Sequence, residues 1–232
     1  MPDVPQELAD RLADFALFAV LSPEARAGLT ERLTRRVVRR GEVIFAEGEP
    51  GDAVHLVLNG KIKISRAAPD GRENLLAVMG PGDVFGELSL FDPGPRTASA
   101  SAVVDTDLAS LGHQDLTYWL GHRPEAAQLL LRVLARRLRR TNDAMSDLVF
   151  TDVPGRVAKA LLGLAGQFGA TDETGAVHVE HGLTQEELAQ LVGASRETVN
   201  KALADFASRG WLRLESRAVT LLDTDRLGRR AR

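Results

Sequence analysis

Along the first half of the chain, apolar positions come in short runs broken by glycine. Val54–Leu58, Lys61–Ser65, Leu75–Val78, Ser99–Val104 and Leu108–Leu111 each read as a short β-strand. Asn59-Gly60 separates the first two, and this pair predicts a two-residue hairpin because both positions tolerate positive φ. Turn chemistry recurs at Gly48–Gly51, Pro69–Gly71 and Gly80–Gly82. Short strands at regular spacing predict an antiparallel sandwich or barrel. Ahead of them, Pro23–Arg35 predicts a short helix capped by Ser22.

The period then changes. From Pro124 to Val149 the pattern predicts one long helix, with proline in its first turn. Leu131, Leu134, Leu138, Thr141, Met145 and Leu148 follow the spacing of a heptad seam. Arg132, Arg136, Arg137, Arg139 and Arg140 lie off that seam. So narrow an apolar stripe predicts pairing with a second copy in parallel, the alternative being a core helix within one domain. Thr141 is the polar member of the seam.

After Thr151-Asp152-Val153-Pro154-Gly155, whose Pro-Gly pair predicts a hinge, Arg156–Phe168 reads as an amphipathic helix carrying Val157, Leu161, Leu164 and Phe168 on one face. Thr184 with Glu187 forms a capping box that opens the next helix, buried through Leu188, Ala189 and Val192. Gly193 supplies a sharp turn, and Ser195 caps a second helix buried through Val199, Ala202, Leu203 and Phe206. Arg196, Glu197, Asn200 and Lys201 fall on its opposite face. This order of cap, turn, cap and polar face predicts a helix-turn-helix whose second helix reads the major groove of double-stranded DNA. Arg can donate twice to guanine and Glu can accept from cytosine; the alternative is a solvated helix face. Trp211–Leu214 and Ala218–Leu222 predict a β wing.

Composition changes the picture in two places. Absence of cysteine excludes disulfides, thiolate zinc sites and cysteine-ligated clusters, and agrees with a reducing, cytoplasmic setting. Net charge is −3, and residues 151–232 carry 11 basic and 11 acidic side chains, so a DNA-reading surface must come from sorting charge rather than from excess. We find no signal peptide and no membrane span in the pattern. The five histidines, His55, His113, His122, His178 and His181, form no evident haem or metal site and read as surface or turn residues. No metal-ligand cluster or catalytic dyad points to an enzyme.

Phe85-Gly86-Glu87-Leu88-Ser89-Leu90-Phe91, Pro95-Arg96-Thr97-Ala98-Ser99, Ala135-Arg136-Arg137-Leu138 and Ser195-Arg196-Glu197-Thr198-Val199 together resemble the cyclic-AMP receptor protein and FNR superfamily of bacterial regulators, and within it the actinobacterial cyclic-AMP-responsive regulators of the GlxR type. The resemblance covers nearly the whole chain. It implies an α+β architecture: an N-terminal antiparallel β-roll of the jelly-roll kind over 1–118, a dimerisation helix over 119–150, and a C-terminal winged helix-turn-helix over 151–232. It implies that Phe85, Gly86, Glu87, Leu88, Ser89, Arg96 and Thr97 bind cyclic AMP. Gly86 lets backbone approach the ligand, Arg96 meets the cyclic phosphate, Thr97 donates a hydroxyl and Glu87 accepts from the ribose. Thr141 and Asn142 match the two residues that meet the adenine from the paired helices; Asn142 departs from the serine common in the family. Thr184, Gln185, Ser195, Arg196, Glu197, Asn200 and Lys201 become the DNA-contacting set, on palindromic half-sites resembling TGTGA. A homodimer through the 124–149 helix and a contact with RNA polymerase complete the implied partners. Two readings stay beside it: a nucleotide-binding module whose C-terminal part contacts protein, and a DNA binder indifferent to ligand.

Overall fold

The computed structural model describes residues 4–15, 18–19, 21–68, 73–92, 94–122 and 124–231. The chain forms two compact units, residues 1–64 with 78–140, and residues 65–77 with 141–232.

The first unit opens with α1 (Val4–Asp14) and α2 (Pro23–Thr30). Ser22 caps α2 by accepting from Ala25 N–H at 3.1 Å. The helix stops at Thr30, short of the expected Arg35, because Thr34–Val38 is extended and forms β1. A run with two valines and a threonine suits a pleated edge better than a helical turn. Its Arg35 forks onto Asp107 of the neighbouring strand, with Nε 2.9 Å and Nη2 2.5 Å from the carboxylate. β2 (Val43–Phe45), β3 (Ala53–Asn59), β4 (Ile62–Ala67), β5 (Glu73–Met79), β6 (Val84–Phe85), β7 (Ser99–Ala102) and β8 (Thr106–Gly112) follow along the chain, with the single-turn helix α3 (Leu88–Phe91) between β6 and β7; residues 65–77, the end of β4 and most of β5, group with the second unit.

The strands form two four-stranded sheets, ordered β1-β8-β3-β6 and β2-β7-β4-β5. β3 and β4 therefore belong to different sheets, and Asn59-Gly60 is a corner between them rather than the predicted hairpin. Asn59 still pairs with Asp107 of β8, and Gly60 turns the chain away at φ +94°. A Cβ there would lie 2.4 Å from Thr106 Oγ1, so the corner admits only glycine. Positive φ identified the turn correctly, but which strands flank it depends on long-range pairing. The expected turn at Pro69–Gly71 lies outside the described residues.

α4 (His113–His122) and the start of α5 (Pro124–Phe150) join α1 and α2 over the first sheet. Leu12, Phe18, Leu29, Leu56, Leu58, Leu111, Trp119 and Leu130 meet there in one apolar cluster. Beyond Leu130 the α5 seam turns outward: Leu131, Leu138, Met145 and Leu148 are 65%, 62%, 63% and 57% exposed.

The second unit contains α6 (Val153–Phe168), β9 (Gly169–Thr171), β10 (Val177–Val179), α7 (Gln185–Val192), α8 (Arg196–Ser208), β11 (Leu212–Glu215), β12 (Ala218–Leu221) and α9 (Thr224–Arg230). Its sheet runs β11-β12-β10-β9, all antiparallel. Pro154 and Gly155 do not form the hinge expected of them. They occupy the first turn of α6, where Asp152 caps Gly155 N–H at 2.9 Å, and a Cβ on Gly155 would lie 2.6 Å from Thr151 Cγ2. The chain breaks at Thr151–Asp152 instead, and proline simply suits the N-terminal turn.

Candidate ligand recess and nucleic-acid interface

Phe85 ends β6 fully buried, and Gly86 then takes φ +80°. That turn delivers Glu87 into the interior at the N-cap of α3, completely buried. Leu88 remains 38% exposed, while Ser89 is buried against Gly51. Arg96, only 4% exposed, reaches the same place from the segment before β7. Its guanidinium donates to Gly86 O at 2.6 Å and Ala53 O at 2.8 Å, and stacks over the Phe45 ring at 4.1 Å. A methyl group on Gly86 would sit 2.8 Å from Arg96 Nη1, so two separate observations require glycine at this position. Phe45, Ile64, Gly86, Leu88, Ser89, Arg96, Thr97, Ala98 and Arg137 line the resulting recess, with Thr97 exposed at its rim.

The charge arrangement is incomplete in an informative way. Burying a carboxylate and a guanidinium is costly unless their hydrogen-bonding atoms find partners. Arg137 of α5 meets that demand in part, with Nη1 2.7 Å from Glu87 Oε1. Glu87 Oε2 and Arg96 Nε are buried and lack hydrogen-bond partners among the described residues. One needs a donor and the other an acceptor. Sequence reasoning missed Arg137. It lies off the α5 seam, and its partner is 50 positions away. Only its place in the Ala135–Leu138 motif singled it out.

Thr141 and Asn142 are exposed on the part of α5 that belongs to the second unit, whereas the walls of the recess come entirely from the first. The expectation that all five histidines are surface or turn residues fails for His55, while His181 is a loop residue that is nonetheless buried. His55 is 8% exposed within β3, and His181 is 6% exposed with Nδ1 accepting from Leu183 N–H. A polar residue on a short strand carries no burial label in a sequence; for His55 the neighbouring strands β6 and β8 decide it.

In the second unit, the capping box is present: Thr184 Oγ1 accepts from Glu187 N–H at 3.1 Å, and Glu187 Oε2 accepts from Thr184 N–H at 2.8 Å. Gly193 adopts the left-handed conformation at φ +67°, and Ser195 Oγ caps α8 by accepting from Thr198 N–H. Val199, Ala202, Leu203 and Phe206 are buried as the spacing predicted. Gln185, Ser195, Arg196, Glu197 and Lys201 are exposed, and Thr184 is half-buried in its cap. Glu197 and Lys201 form an exposed ion pair at 2.8 Å. Asn200 departs from the expected open face: it is half-buried, and its Oδ1 is buried without a partner among the described residues. β11 and β12 form the predicted wing, with Arg217 in its turn at φ +59°.

Residues 35–122 match the cyclic nucleotide-binding domain family, and residues 155–230 match the Crp-like helix-turn-helix domain family. A CRP-like cAMP-activated global transcriptional regulator of Mycobacterium tuberculosis is 60% identical over 221 residues, spanning 95% of this chain and 98% of that protein. The chain belongs to the CRP family of transcription regulators. A second relative, the cyclic AMP receptor protein of Thermus thermophilus, is 39% identical over 85% of this chain and 88% of its own length. Among solved structures, FixK2 from Bradyrhizobium japonicum superposes with a TM-score of 0.76 at 27% identity, covering 85% of this chain and 96% of that one. The β-roll followed by helices and a helix-turn-helix is thus the CRP/FNR fold, and the family is one of transcription regulators rather than enzymes. No helix among the described residues is long and apolar enough to cross a membrane, and none of them form a cluster able to hold a metal ion.

Proposed function

We propose that this CRP-family regulator is a cytoplasmic homodimer that binds cyclic AMP in the Gly86–Thr97 recess and, in response, reads a palindromic TGTGA-like operator. The observation that carries the ligand assignment is the pair of orphaned buried atoms, Arg96 Nε and Glu87 Oε2. A ribose cyclic phosphate brings an anion and a hydroxyl on one rigid ring, which suits one orphan each. Thr97 and the backbone around Gly86, Leu88 and Ser89 supply further donors. Arg137, already on Glu87, is where a ligand hydroxyl would alter the tie to α5. Phe85 packs behind the turn. Thr141 and Asn142 are the adenine contacts, one from each of two paired α5 helices.

A ligand shifts an equilibrium only through unequal affinity for the two states, and contacts made by a helix pair provide that inequality. The exposed α5 seam supports the pairing. Two recognition helices related by a two-fold axis then meet successive major grooves about 34 Å apart. Arg196, Glu197 and Lys201 read base edges. Thr184, Gln185 and Ser195 hold phosphates from the helix N-termini. Asn200 is the inner, partly covered member of this set. Bound at a promoter, the dimer acts through RNA polymerase.

Operator affinity measured with and without cyclic AMP tests the whole reading, and a ligand-indifferent value would refute it. Arg196→Ala should cost about 1–3 kcal/mol at the operator and little on random duplex. Equal losses on both would make Arg196 a phosphate contact. The Glu197–Lys201 pair and the neutral charge balance of residues 151–232 favour one second reading, a C-terminal unit that contacts protein. A flat salt dependence of duplex binding would select it, since DNA binding releases counterions and falls steeply with salt.

A further inference from the structure

His55 lies behind two walls of the recess, Phe45 and Gly86, and belongs to none of the motifs above. In register it faces Phe85 of β6 on one side and Ser110 of β8 on the other. Its ring is held among Phe85, at 5.2 Å between centroids, and Phe45, at 5.7 Å, the same Phe45 that Arg96 covers. Nδ1 lies 2.8 Å from Ser110 Oγ. A Cβ built on Gly86 would be 3.4 Å from His55 Cδ2, and Ala53, two residues earlier on the same strand, accepts from Arg96 Nη2. The imidazole is therefore built into the seat of the guanidinium.

Its charge state is set by that seat. Burial, then Arg96, then Arg36 from β1 push the imidazole down to about 4, and only Asp52 opposes them. Glu87, held by Arg137 of α5, acts on Arg96. With the recess empty, His55 is neutral at physiological pH. A phosphodiester anion seated on Arg96 changes this balance, because it cancels the positive field that disfavours the imidazolium.

We infer that His55 is a positioning residue of the recess: fixed by Ser110, its neutral ring aims Arg96, and arrival of the ligand's phosphate lets it take up a proton. The inference rests on the cyclic-AMP reading above. By linkage, a group that holds its proton more tightly in the complex makes affinity rise as pH falls through its bound-state value, and leaves affinity flat above it.

The test follows the His55 ring by NMR from pH 4 to 7, without ligand and with saturating cyclic AMP. Binding should move its titration upward by about one pH unit. Calorimetry near pH 5 in buffers of different ionisation enthalpy should show proton uptake on binding. His55→Phe keeps the ring stack and removes the titrating group. It should abolish that uptake and lower affinity several-fold at pH 7, with near-UV circular dichroism unchanged. Because adenine also protonates in acid, the difference between wild type and this variant is the quantity that counts. Ser110→Ala should keep the uptake and lose part of the affinity. Cyclic AMP binding with an unmoved His55 titration, or with equal uptake in His55→Phe, overturns the role of His55 alone. If cyclic AMP does not bind the wild type, the ligand reading fails. Cyclic GMP and inorganic phosphate are then titrated into the same NMR sample, and an unmoved His55 with both removes the inference as well.

Discussion

Arg96→Ala is expected to reduce cyclic-AMP affinity by at least about 100-fold. Charge-assisted hydrogen bonds contribute about 1.5–3 kcal/mol each, and a cyclic phosphate on a planar guanidinium makes two. The guanidinium also ties Gly86 O and Ala53 O together, so the truncation loosens the recess as well as removing its charge. Arg96→Lys separates the two effects. It keeps a cation but has no rigid fork, and should recover only a small part of the affinity. Isothermal calorimetry on both variants, with thermal unfolding as a control for the fold, measures this. Wild-type affinity in Arg96→Ala would remove the recess from consideration as the phosphate site.

Leu138→Glu is expected to convert the protein to a monomer. Leu138 is 62% exposed in the middle of the α5 seam, flanked by Leu131 and Met145 in the same condition. Burying one such leucine fully contributes about 1.5–3 kcal/mol, and a parallel pair buries each seam position twice. A glutamate there removes two copies of that contribution and sets two like charges side by side. Sedimentation velocity at micromolar concentration should show a single species at half the wild-type mass. Operator affinity should fall with it, since one helix-turn-helix then carries the whole contact. Arg139→Glu, off the seam on the same helix, should remain dimeric. A Leu138→Glu protein that still sediments as a dimer would mean that another surface joins the protomers.

The parts legible from sequence share one physical property: short-range periodicity. The α5 seam, the Thr184–Glu187 box, Gly193 and the Ser195 cap all depend on residues within one or two helical turns. The structure places each element where the spacing predicted, with α5 ending one residue later at Phe150. β1 was not legible. Four of its five residues are exposed, with arginines at two of them, so no apolar alternation marks it. The extension of the α2 expectation to Arg35 had the same origin, since propensity is too weak to end a helix without a breaker.

Chemistry that spans the fold was beyond the reach of pattern. Glu87 and Arg137 are 50 positions apart, and His55 and Ser110 are 55 apart. Nothing local in either pair marks the partner, because strand pairing and the placement of α5 create the contact. The Pro154-Gly155 pair shows the opposite error. Residues that often mark flexible joints here begin a helix, because Asp152 caps them and Thr151 leaves no room for a side chain.

By itself, the sequence determined the long seamed helix, the capped pair of helices after Thr184, and the glycines that permit positive φ at 60 and 193. Each follows from backbone sterics or from a period matched to a helix. Tertiary structure alone decided that Asn59-Gly60 joins two sheets, that Glu87 is buried with one oxygen bound and one open, and that His55 stacks on the Phe45 ring that Arg96 covers. Those outcomes depend on which strands pair and which side chains lose water together, and such energies belong to contacts between distant residues.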